Sequence, residues 1–456
     1  MLRNKQDMLH GPLLGSIIRY SIPIILTSLL QLFFNAADLV IVGRFCGSVS
    51  IGAVGATGPL TGLMVNFFLG FSLGSGVSVA HSIGSREDNV THKTVHTAIP
   101  LAVVCGAILT VIGVCCSEAM LELMGTPENV LPLSAVYMKI YFSGMIFNIL
   151  YNVCASILRA AGDTKSPLIF LLISGVLNVV LNIFFVTVFH MDVAGVAWAT
   201  VISQAVSAVL VVIVLMRRTD ACKLIISKLR FYTPQLMKII RLGLPAGIQN
   251  SLFAISNVLI QSFINSFGDV FMAGNAAASN IEGFIYVSMM AFYQTAVNYV
   301  GQNVGANQYE RVKKIFWTCM GCVTCVGLVL GVSAWLFGRQ LLPIYITDSP
   351  QAIEYGMIRM TYLALPYFVC GIMDVSTGTL RGMGYSFVPM LVSIFGVCGV
   401  RIGWLLTVFQ IPQFHTPSCL YLSYLVSWTV TLIGQITLFM IVYKKKVREL
   451  SADNQK

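Results

Sequence analysis

Three carboxylic acids lie inside long apolar stretches of the sequence: Asp38, Glu282 and Asp374. A charge at the centre of a hydrocarbon layer costs at least about 2.5–3.5 kcal/mol, even on the most lenient insertion scale. We therefore expect each of these side chains to face a cavity or a polar partner. A carboxylate kept in such a place can hold a proton, a small cation or the charged end of a ligand.

Asp38 has the clearest polar surroundings. Thr27, Gln31, Asn35 and Asp38 are spaced by 4, 4 and 3 residues, so on a helix they form one polar stripe. Pro23 lies one turn before the stripe and has no backbone N–H, which predicts a bend or hinge at that point.

Two amides in a later segment predict a proton or cation site together with Asp38. Asn178 and Asn182 are four residues apart and therefore share a helix face. A carboxyl group balanced between a protonated and a cation-bound state can couple ion movement to a conformational change. The alternative is that Asp38 lies near the end of its helix and reaches interfacial water or pairs with Arg44.

The other two acids also leave alternatives open. Asp374 and Asn152 each precede the Arg of a repeated LRxxG segment by seven residues, so one half of the chain has an acid where the other has an amide. Asp374 either contacts substrate or titrates, or it pairs with a nearby polar group such as Arg381. Glu282, beside Asn280, either faces a cavity or makes a hydrogen bond in helix packing.

A second polar stripe and an apolar cluster extend the candidate binding surface. Gln249, Asn257 and Gln261 are spaced by 8 and 4 residues and repeat the first stripe without an acid. The next segment contains pliable and aromatic side chains that suit varied apolar ligands, although core packing explains them more simply: Met289, Met290, Phe292 and Tyr293. The predicted substrate-cleft residues are Gln31, Asn35, Asn152, Gln249, Asn257, Glu282, Met289, Tyr293 and Asp374.

The composition indicates which elements position these side chains. Of 456 residues, 57% are hydrophobic and 10% are charged, and the mean hydropathy is +0.82. A soluble domain carries about 25% charged residues, so this composition argues against soluble enzymes, nucleic-acid-binding proteins and secreted disulfide scaffolds. The segments are continuously apolar and lack the alternation of a β-barrel, which predicts an all-α polytopic membrane protein.

The apolar segments predict twelve transmembrane helices, since one crossing needs about 20 apolar residues. The predicted spans are 17–43, 51–80, 95–116, 133–158, 167–190, 194–216, 239–265, 273–300, 316–337, 358–380, 387–409 and 420–443.

The distribution of Lys and Arg predicts the orientation. On the side of the N-terminus lie 23 of the 28 Lys and Arg residues, so both termini are predicted to be cytoplasmic, in a bacterial plasma membrane. The net charge of +10 reflects this bias and does not require a nucleic-acid partner. The N-terminal segment lacks a signal-peptide cleavage pattern, so we expect the first span to be retained.

The chain contains an internal repeat. IIRYSIP at 17–23 matches IIRLGLP at 239–245, and LRAAGDTKSP at 158–167 matches LRGMGYSFVP at 380–389, both with an offset of 222 residues. Each half then has six spans and begins on the same side of the membrane, as in transporters that move two helix bundles about a central site. The predicted divisions are an N-terminal six-helix lobe at 1–216, a cytoplasmic linker at 217–238, and a C-terminal six-helix lobe with a basic tail at 239–456.

Motifs of other reaction classes are absent from the sequence. It contains no Walker-type loop, HExxH or GxSxG, so we predict a secondary transporter, not an enzyme, without a cofactor. Cys319, Cys322 and Cys325 form a CxxCxxC run in an apolar span, which we interpret as packing residues and not as metal ligands. The histidines at 81–96 are interpreted as part of a solvated loop.

Several segments together resemble one transporter family. They are IPIILTSLLQLFFNAADLVIVGR at 22–44, LRAAGDTKSP, NVVLN at 178–182, GVAWAT at 195–200, VGQNVGA at 300–306 and LRGMG at 380–384. Over about 15–443 the chain resembles the MATE (multidrug and toxic compound extrusion) family. The resemblance implies two six-helix lobes with a central cleft, and export of organic cations driven by H⁺ or Na⁺.

Within that family the chain looks most like the DinF-type branch, which has an acid in the first span, here Asp38. The branch implies a cation site at Asp38, Asn178, Asn182 and Thr200. Many relatives have Asp at the position of Asn182, and a single carboxylate favours H⁺ over Na⁺. A Glu of the NorM-type branch would fall at Phe253, so the Na⁺ sites of that branch are not transferred.

The sequence therefore predicts a monomeric rocker-switch antiporter that exports amphipathic, mainly cationic organic compounds in exchange for H⁺ or Na⁺, surrounded by membrane lipids. Ion binding near Asp38 must differ in affinity between the two states to drive the cycle. The alternative is a flippase for lipid-linked oligosaccharides or lipids, which would need several cations in its cleft, where only Arg401 and Arg359 are candidates. A membrane-embedded receptor or enzyme is disfavoured by the repeat.

Overall fold

The computed structural model describes residues 6–346 and 349–453 and folds almost all of them into helices. This described part of the chain contains no strand. Residues 1–5 and 454–456, at the ends of the two predicted lobes, lie outside it, as do residues 347–348. The predicted all-α class is confirmed.

Twelve long helical segments, numbered α1 to α12, follow one another in the described residues. Their bounds are Leu13–Phe45 (α1), Ser48–Gly84 (α2), Asp88–Leu123 (α3), Leu131–Ser143 with Met145–Ala160 (α4), Lys165–Thr187 (α5), Asp192–Arg217 (α6), Thr233–Asn265 (α7), Asp269–Gly305 (α8), Tyr309–Leu336 (α9), Pro350–Gly382 (α10), Phe387–Gln410 (α11) and Pro417–Asp453 (α12). Short helical turns occur at Ile226–Lys228, Gly338–Leu341, Leu342–Ile344 and Pro412–Phe414.

These helices are long enough to cross a membrane. In the described residues nine single helices qualify by length and apolarity, and the two parts of α4, bent by 47° at Gly144, make a tenth span. The helices α7 and α8 have 33 and 37 residues but are more polar. A helix of 33 residues is about 50 Å long, whereas the hydrocarbon layer is about 30 Å thick. Each of the twelve predicted spans corresponds to one of these helices.

Three helices have features that bear on function. The helices α10 and α11 each contain a turn of π-helix, at Met360–Ala364 and Ile394–Gly399. Such turns insert a residue into an α-helix and are frequent at functional sites. The helix α1 continues as a single α-helix through Pro23, so a hinge there stays a prediction.

The chain divides into two compact units. The first helix of each half, α1 or α7, has part of its length in each unit. Unit 1 contains Leu26–Ser251 with the short segment before Met8, and unit 2 contains Met8–Ile25 and the described residues from Leu252 onwards. The boundary in α1 follows Pro23 by two residues. In unit 2, the Tyr20 ring packs edge-on against Tyr299 with centroids 5.3 Å apart, and the Ser21 and Thr295 hydroxyls lie 2.7 Å apart.

A buried histidine attaches the segment between α6 and α7 to α3. The Nε2 atom of His96 accepts a hydrogen bond from the Ile225 N–H at 3.0 Å, and the carbonyl of His96 accepts one from the Arg230 N–H at 3.3 Å. His96 is completely buried. The interpretation of 81–96 as a solvated loop is therefore wrong, because α3 starts at Asp88, one to two turns before its apolar stretch.

The orientation can be tested with fusions of green fluorescent protein, which becomes fluorescent in the bacterial cytoplasm but not after export by the general secretion route. Because 217–238 carries many basic residues, we expect a fusion after Lys228 to be fluorescent. A fusion after Ser266, between α7 and α8, should be dark, and alkaline phosphatase fusions at both positions should give the reverse result. Fluorescence after Ser266 and not after Lys228 would contradict the orientation.

Candidate functional site

The four residues predicted as an ion site form one chain of hydrogen bonds across α1, α5 and α6. The Asn182 Nδ2 donates to Asp38 Oδ1 at 2.5 Å and to Asn178 Oδ1 at 3.2 Å. The Asn178 Nδ2 in turn donates to Thr200 Oγ1 at 3.4 Å. The Thr200 hydroxyl gives its own proton to the Val196 carbonyl at 3.0 Å, so its oxygen is available as an acceptor. The structure brings these side chains together within unit 1.

The sequence positions this cluster by simple means. The spacing of Asn178 and Asn182 puts both amides on the face of α5 that meets α1 and α6. Gly175, one turn earlier, permits α1 to approach, because the Phe34 ring occupies the volume that a side chain at position 175 would need. A larger residue at 175 would push α1, and with it Asp38, away from the amides.

One acceptor in the cluster has no partner. Asn182 is completely buried and Asn178 is 6% exposed, whereas Asp38 is half-buried. Among the described residues, nothing donates a hydrogen bond to the buried Oδ1 of Asn182. Leaving such a group unsatisfied costs about 1–3 kcal/mol. The Asn182 Oδ1 can therefore accept a hydrogen bond from a group that binds in the cluster.

Two tyrosines that the sequence analysis missed border the cluster. Tyr137 and Tyr141 of α4 stack with ring centroids 6.0 Å apart, and Tyr137 packs against an apolar cluster that includes Ile41 and Val42, one turn after Asp38. The sequence contained a signal for this pair: the two tyrosines are four residues apart, as are the two asparagines, so each pair lies on one face of its helix. No ion pair joins Asp38 to Arg44 in the described residues, and Arg44 is exposed.

The polar stripe on α1 is largely accessible. Gln31 and Asn35 are exposed, while Thr27 is 3% exposed. On α7, Asn257 is exposed and Gln249 is 5% exposed. An exposed amide on an apolar spanning helix requires water, a ligand or another helix. The assignment of these glutamines and asparagines to a substrate cleft stays a prediction.

Glu282 lies in a buried ion pair. Its carboxylate accepts hydrogen bonds from Arg359 Nε at 3.1 and 3.2 Å and from Nη2 at 2.7 Å. The Asn275 Oδ1 accepts from Arg359 Nη1 at 2.6 Å and from the Tyr421 hydroxyl at 2.9 Å. Glu282 and Arg359 are 3% and 8% exposed. Of the two alternatives for Glu282, these contacts favour helix packing, since the network joins α8, α10 and α12.

Asp374 and Asn152, which correspond in the repeat, differ in their contacts. Asp374 is half-buried, and its Oδ2 lies 3.9 Å from the Cys370 Sγ. No ion pair of Asp374 with Arg381 occurs within the described residues. The Asn152 Nδ2 donates to the Asn148 carbonyl at 2.9 Å, so it serves its own helix. Asp374 thus has no ion-pair partner among the residues that the structure describes.

The apolar candidates of α8 lie in the core of unit 2. Met289 is 2% exposed, and its sulfur fills the space beside Gly327 and Gly371, which joins α8 to α9 and α10. The Tyr293 hydroxyl accepts a hydrogen bond from Arg381 at 2.6 Å and is 8% exposed. Both side chains are core residues, which agrees with the alternative of core packing. Glycines opposite them allow the helices to pack closely.

The cysteines of the CxxCxxC run lie on α9 as free thiols, with Cys319 buried and Cys325 exposed. In the residues that the structure describes, no group of three or more His, Cys, Asp or Glu side chains is placed to hold a metal ion.

The described residues thus form a polytopic helical protein with twelve long helices, a duplicated sequence and a polar cluster around one carboxylate. Comparison with known families gives the same class. The MatE family model matches residues 23–184 and 245–405. The chain belongs to the MATE family, as its resemblance predicted. The two matches begin 222 residues apart, which is the offset of the internal repeat.

Similar proteins include multidrug transporters. "Probable multidrug resistance protein YoeA" of Bacillus subtilis (strain 168) is 27% identical over 437 residues, covering 94% of this chain and 93% of that protein. "Probable multidrug resistance protein YpnP" of the same organism is 29% identical over 401 residues, covering 87% and 88%. A solved structure, "Outward-facing conformation of a multidrug resistance MATE family transporter of the MOP superfamily", matches with a TM-score of 0.90 at 19% identity, over 98% of this chain and 99% of that one. The twelve-helix, two-lobe fold is thereby confirmed.

The buried pair of Glu282 and Arg359 can be tested by a double-variant cycle. Removing one partner leaves a buried charge uncompensated, which costs about 3–5 kcal/mol. We expect Glu282→Leu and Arg359→Met each to lower the thermal unfolding temperature of the purified protein strongly, and the double variant to regain most of the loss. Arg339→Met is the control, because its pair with Glu354 is exposed. Additive losses in the double variant would contradict the pair.

Proposed function

We propose that the chain is a cation-coupled secondary antiporter of the DinF-type branch, which exports amphipathic, mainly cationic organic compounds by rocker-switch alternating access. The observation that carries this proposal is the hydrogen-bond chain from Asp38 through Asn182 and Asn178 to Thr200. It connects one half-buried carboxylate to three helices of unit 1. A change in the charge of Asp38 therefore alters the contacts of all three.

The geometry favours H⁺ over Na⁺ as the coupling ion. Hard cations take several oxygen ligands. Here the Asn182 Nδ2, a donor, lies between Asp38 Oδ1 and Asn178 Oδ1, where a cation would have to sit. A proton on Asp38 needs no such set of ligands, and the neighbouring Asn182 has a buried Oδ1 acceptor without a partner among the described residues. A Na⁺ ion between these oxygens would require the Asn182 amide to turn over.

Coupling follows from a difference in proton affinity between two states. A ligand shifts a conformational equilibrium only as far as it binds the two states differently. In the outward-facing state Asp38 would take up a proton, lose its charge and weaken its bond to Asn182. Helix α1 would then change its position against α5, with Pro23 as hinge, and the loaded state would return inward to release the proton.

The proposed substrates follow from exposed polar side chains on apolar helices and from the curated relatives. Gln31, Asn35 and Asn257 are exposed, and the half-buried Asp374 is the carboxylate that we assign to a cationic group. The relatives YoeA and YpnP are named as probable multidrug resistance proteins, which supports a broad specificity. We place the protein in the bacterial plasma membrane as a monomer, with both termini in the cytoplasm.

Asp38→Asn tests the coupling site. Purified protein is reconstituted into liposomes, and the flux of the fluorescent cation rhodamine 6G is followed under an imposed proton gradient or an imposed sodium gradient. We expect the proton gradient to drive transport by the wild type, and the variant to lose at least tenfold in rate because Asn cannot take up and release a proton. Asp269→Asn, at an exposed position at the start of α8, is the matched control and should keep the wild-type rate.

Transport that survives Asp38→Asn would reject this site and direct attention to Asp374. If neither gradient drives any tested cation, the antiporter proposal fails. The lipid flippase alternative would then be tested in the same vesicles with a fluorescent phospholipid.

Asn182→Asp tests the choice of ion. It places a second carboxylate next to Asp38 and removes the donor that lies between the two oxygen ligands, so we expect transport driven by a sodium gradient to appear. The rates under separate sodium and proton gradients are compared with those of Asn265→Asp, an exposed control at the end of α7. An ion preference identical to that of the wild type would contradict the argument from the amide orientation.

A further inference from the structure

We propose that unit 2 contains a binding site for the carboxylate of an aromatic substrate, formed by the guanidinium of Arg401 and a row of aromatic rings on α8, α10 and α12. The inference rests on the proposed export function and adds organic anions to its substrate class. This arginine is not part of the proposed ion site at Asp38.

Within the residues that the structure describes, Arg401 is a buried cation that has no carboxylate at ion-pair distance. It is 3% exposed, and its Nε and Nη2 both donate to the Ser427 Oγ, at 3.3 and 3.1 Å. Its guanidinium carbon lies 3.9 Å from the centre of the Tyr424 ring. No carboxylate of the described residues lies within ion-pair distance, and Nη1 has no hydrogen-bond partner among them. One edge of the guanidinium is thus held in place and the other is available.

Arg359 provides the comparison inside the same unit. It is 8% exposed and lies against the Tyr421 ring, so both arginines combine burial with an aromatic face. Arg359, however, is neutralised by Glu282 and further bonded to Asn275. Buried charges are normally compensated, because the desolvation of an ion is expensive. At Arg401 the compensating anion is not supplied by the described residues, which indicates an anionic ligand.

The internal repeat supports the same conclusion. With the offset of 222, the counterpart of Asp38 is Ile260, which is 1% exposed. The same offset places Arg401 opposite Val179. The second half therefore has an apolar residue in place of the acid and an arginine in place of an apolar residue. The buried charge that it adds at this position is opposite in sign to that of Asp38.

The surroundings of Arg401 fit a flat ligand. From Tyr424 a row of rings leads through Trp428 and Tyr367 to Tyr286, with successive centroids 5.8, 5.4 and 6.2 Å apart. Tyr286 is 38% exposed, so the row extends from the buried arginine to an accessible surface. Aromatic rings bind flat apolar bodies through stacked or edge contacts. The free edge of a guanidinium matches the two oxygens of a carboxylate.

The test uses three probes that share one ring system and differ in charge: 1-naphthoate, 1-naphthalenemethanol and protonated 1-naphthylmethylamine. Binding to the full-length protein in lipid nanodiscs is measured by equilibrium dialysis at pH 7.5, with empty nanodiscs subtracted. We expect the wild type to bind 1-naphthoate at least tenfold more tightly than the alcohol. Arg401→Gln should lose this preference and leave binding of the other two probes unchanged, and Arg401→Lys should keep a part of it.

Arg339→Gln removes an exposed arginine and serves as the control, with wild-type binding expected. The proposal is overturned if the wild type shows no preference for 1-naphthoate over the alcohol, a result that needs no variant, or if Arg401→Gln binds it as tightly as the wild type. A purely structural role of Arg401 would affect all three probes alike. Because binding is measured without any gradient, failure here is distinct from failure of cation export in liposomes.

Discussion

The high cost of a polar group without a partner in hydrocarbon accounts for most of what is specific in this molecule. Inside a membrane, hydrophobic burial does not determine which apolar helices pack together. Charged and amide side chains therefore contribute much of the specificity of helix packing. Three solutions occur here. Glu282 and Arg359 neutralise each other, Asp38 accepts a hydrogen bond from a neutral amide, and among the described residues Arg401 contacts a hydroxyl and an aromatic ring. The pair whose charges are fully compensated is the one that we assign to structure, and the other two groups are those that we propose to bind an ion or a ligand.

Duplication explains how one chain can contain both kinds of site. Two copies of a six-helix plan give corresponding positions in similar surroundings, and each position can then change its chemistry independently. In the first half an acid and two asparagines meet at α1 and α5. In the second half a π turn at Ile394–Gly399 precedes Arg401 on α11, and Arg401 contacts Ser427 and Tyr424 of α12. The position that holds Val179 in the first half thus holds a cation in the second.

The sequence predicts the class, the number of spans, the repeat and the grouping of Asp38 with Asn178, Asn182 and Thr200, the last through a family resemblance. Those features depend on composition and on spacing within helices, which a sequence displays directly. It does not predict the π turns, which change the register without a sequence signal, or the pairing of Glu282 with Arg359, which are 77 residues apart. The packing of Met289 against Gly327 and Gly371 was also undetermined, since a pocket and a core use the same residue types.

Helix α1 carries the acid and contributes residues to both units, since its residues up to Ile25 belong to unit 2 and those from Leu26 onwards to unit 1. In unit 2 its Tyr20 ring packs against Tyr299. Pro23 has no backbone N–H to donate to the preceding turn, two residues before this boundary. The residue at position 23 therefore determines the backbone hydrogen bonding of a helix whose two parts pack in different units.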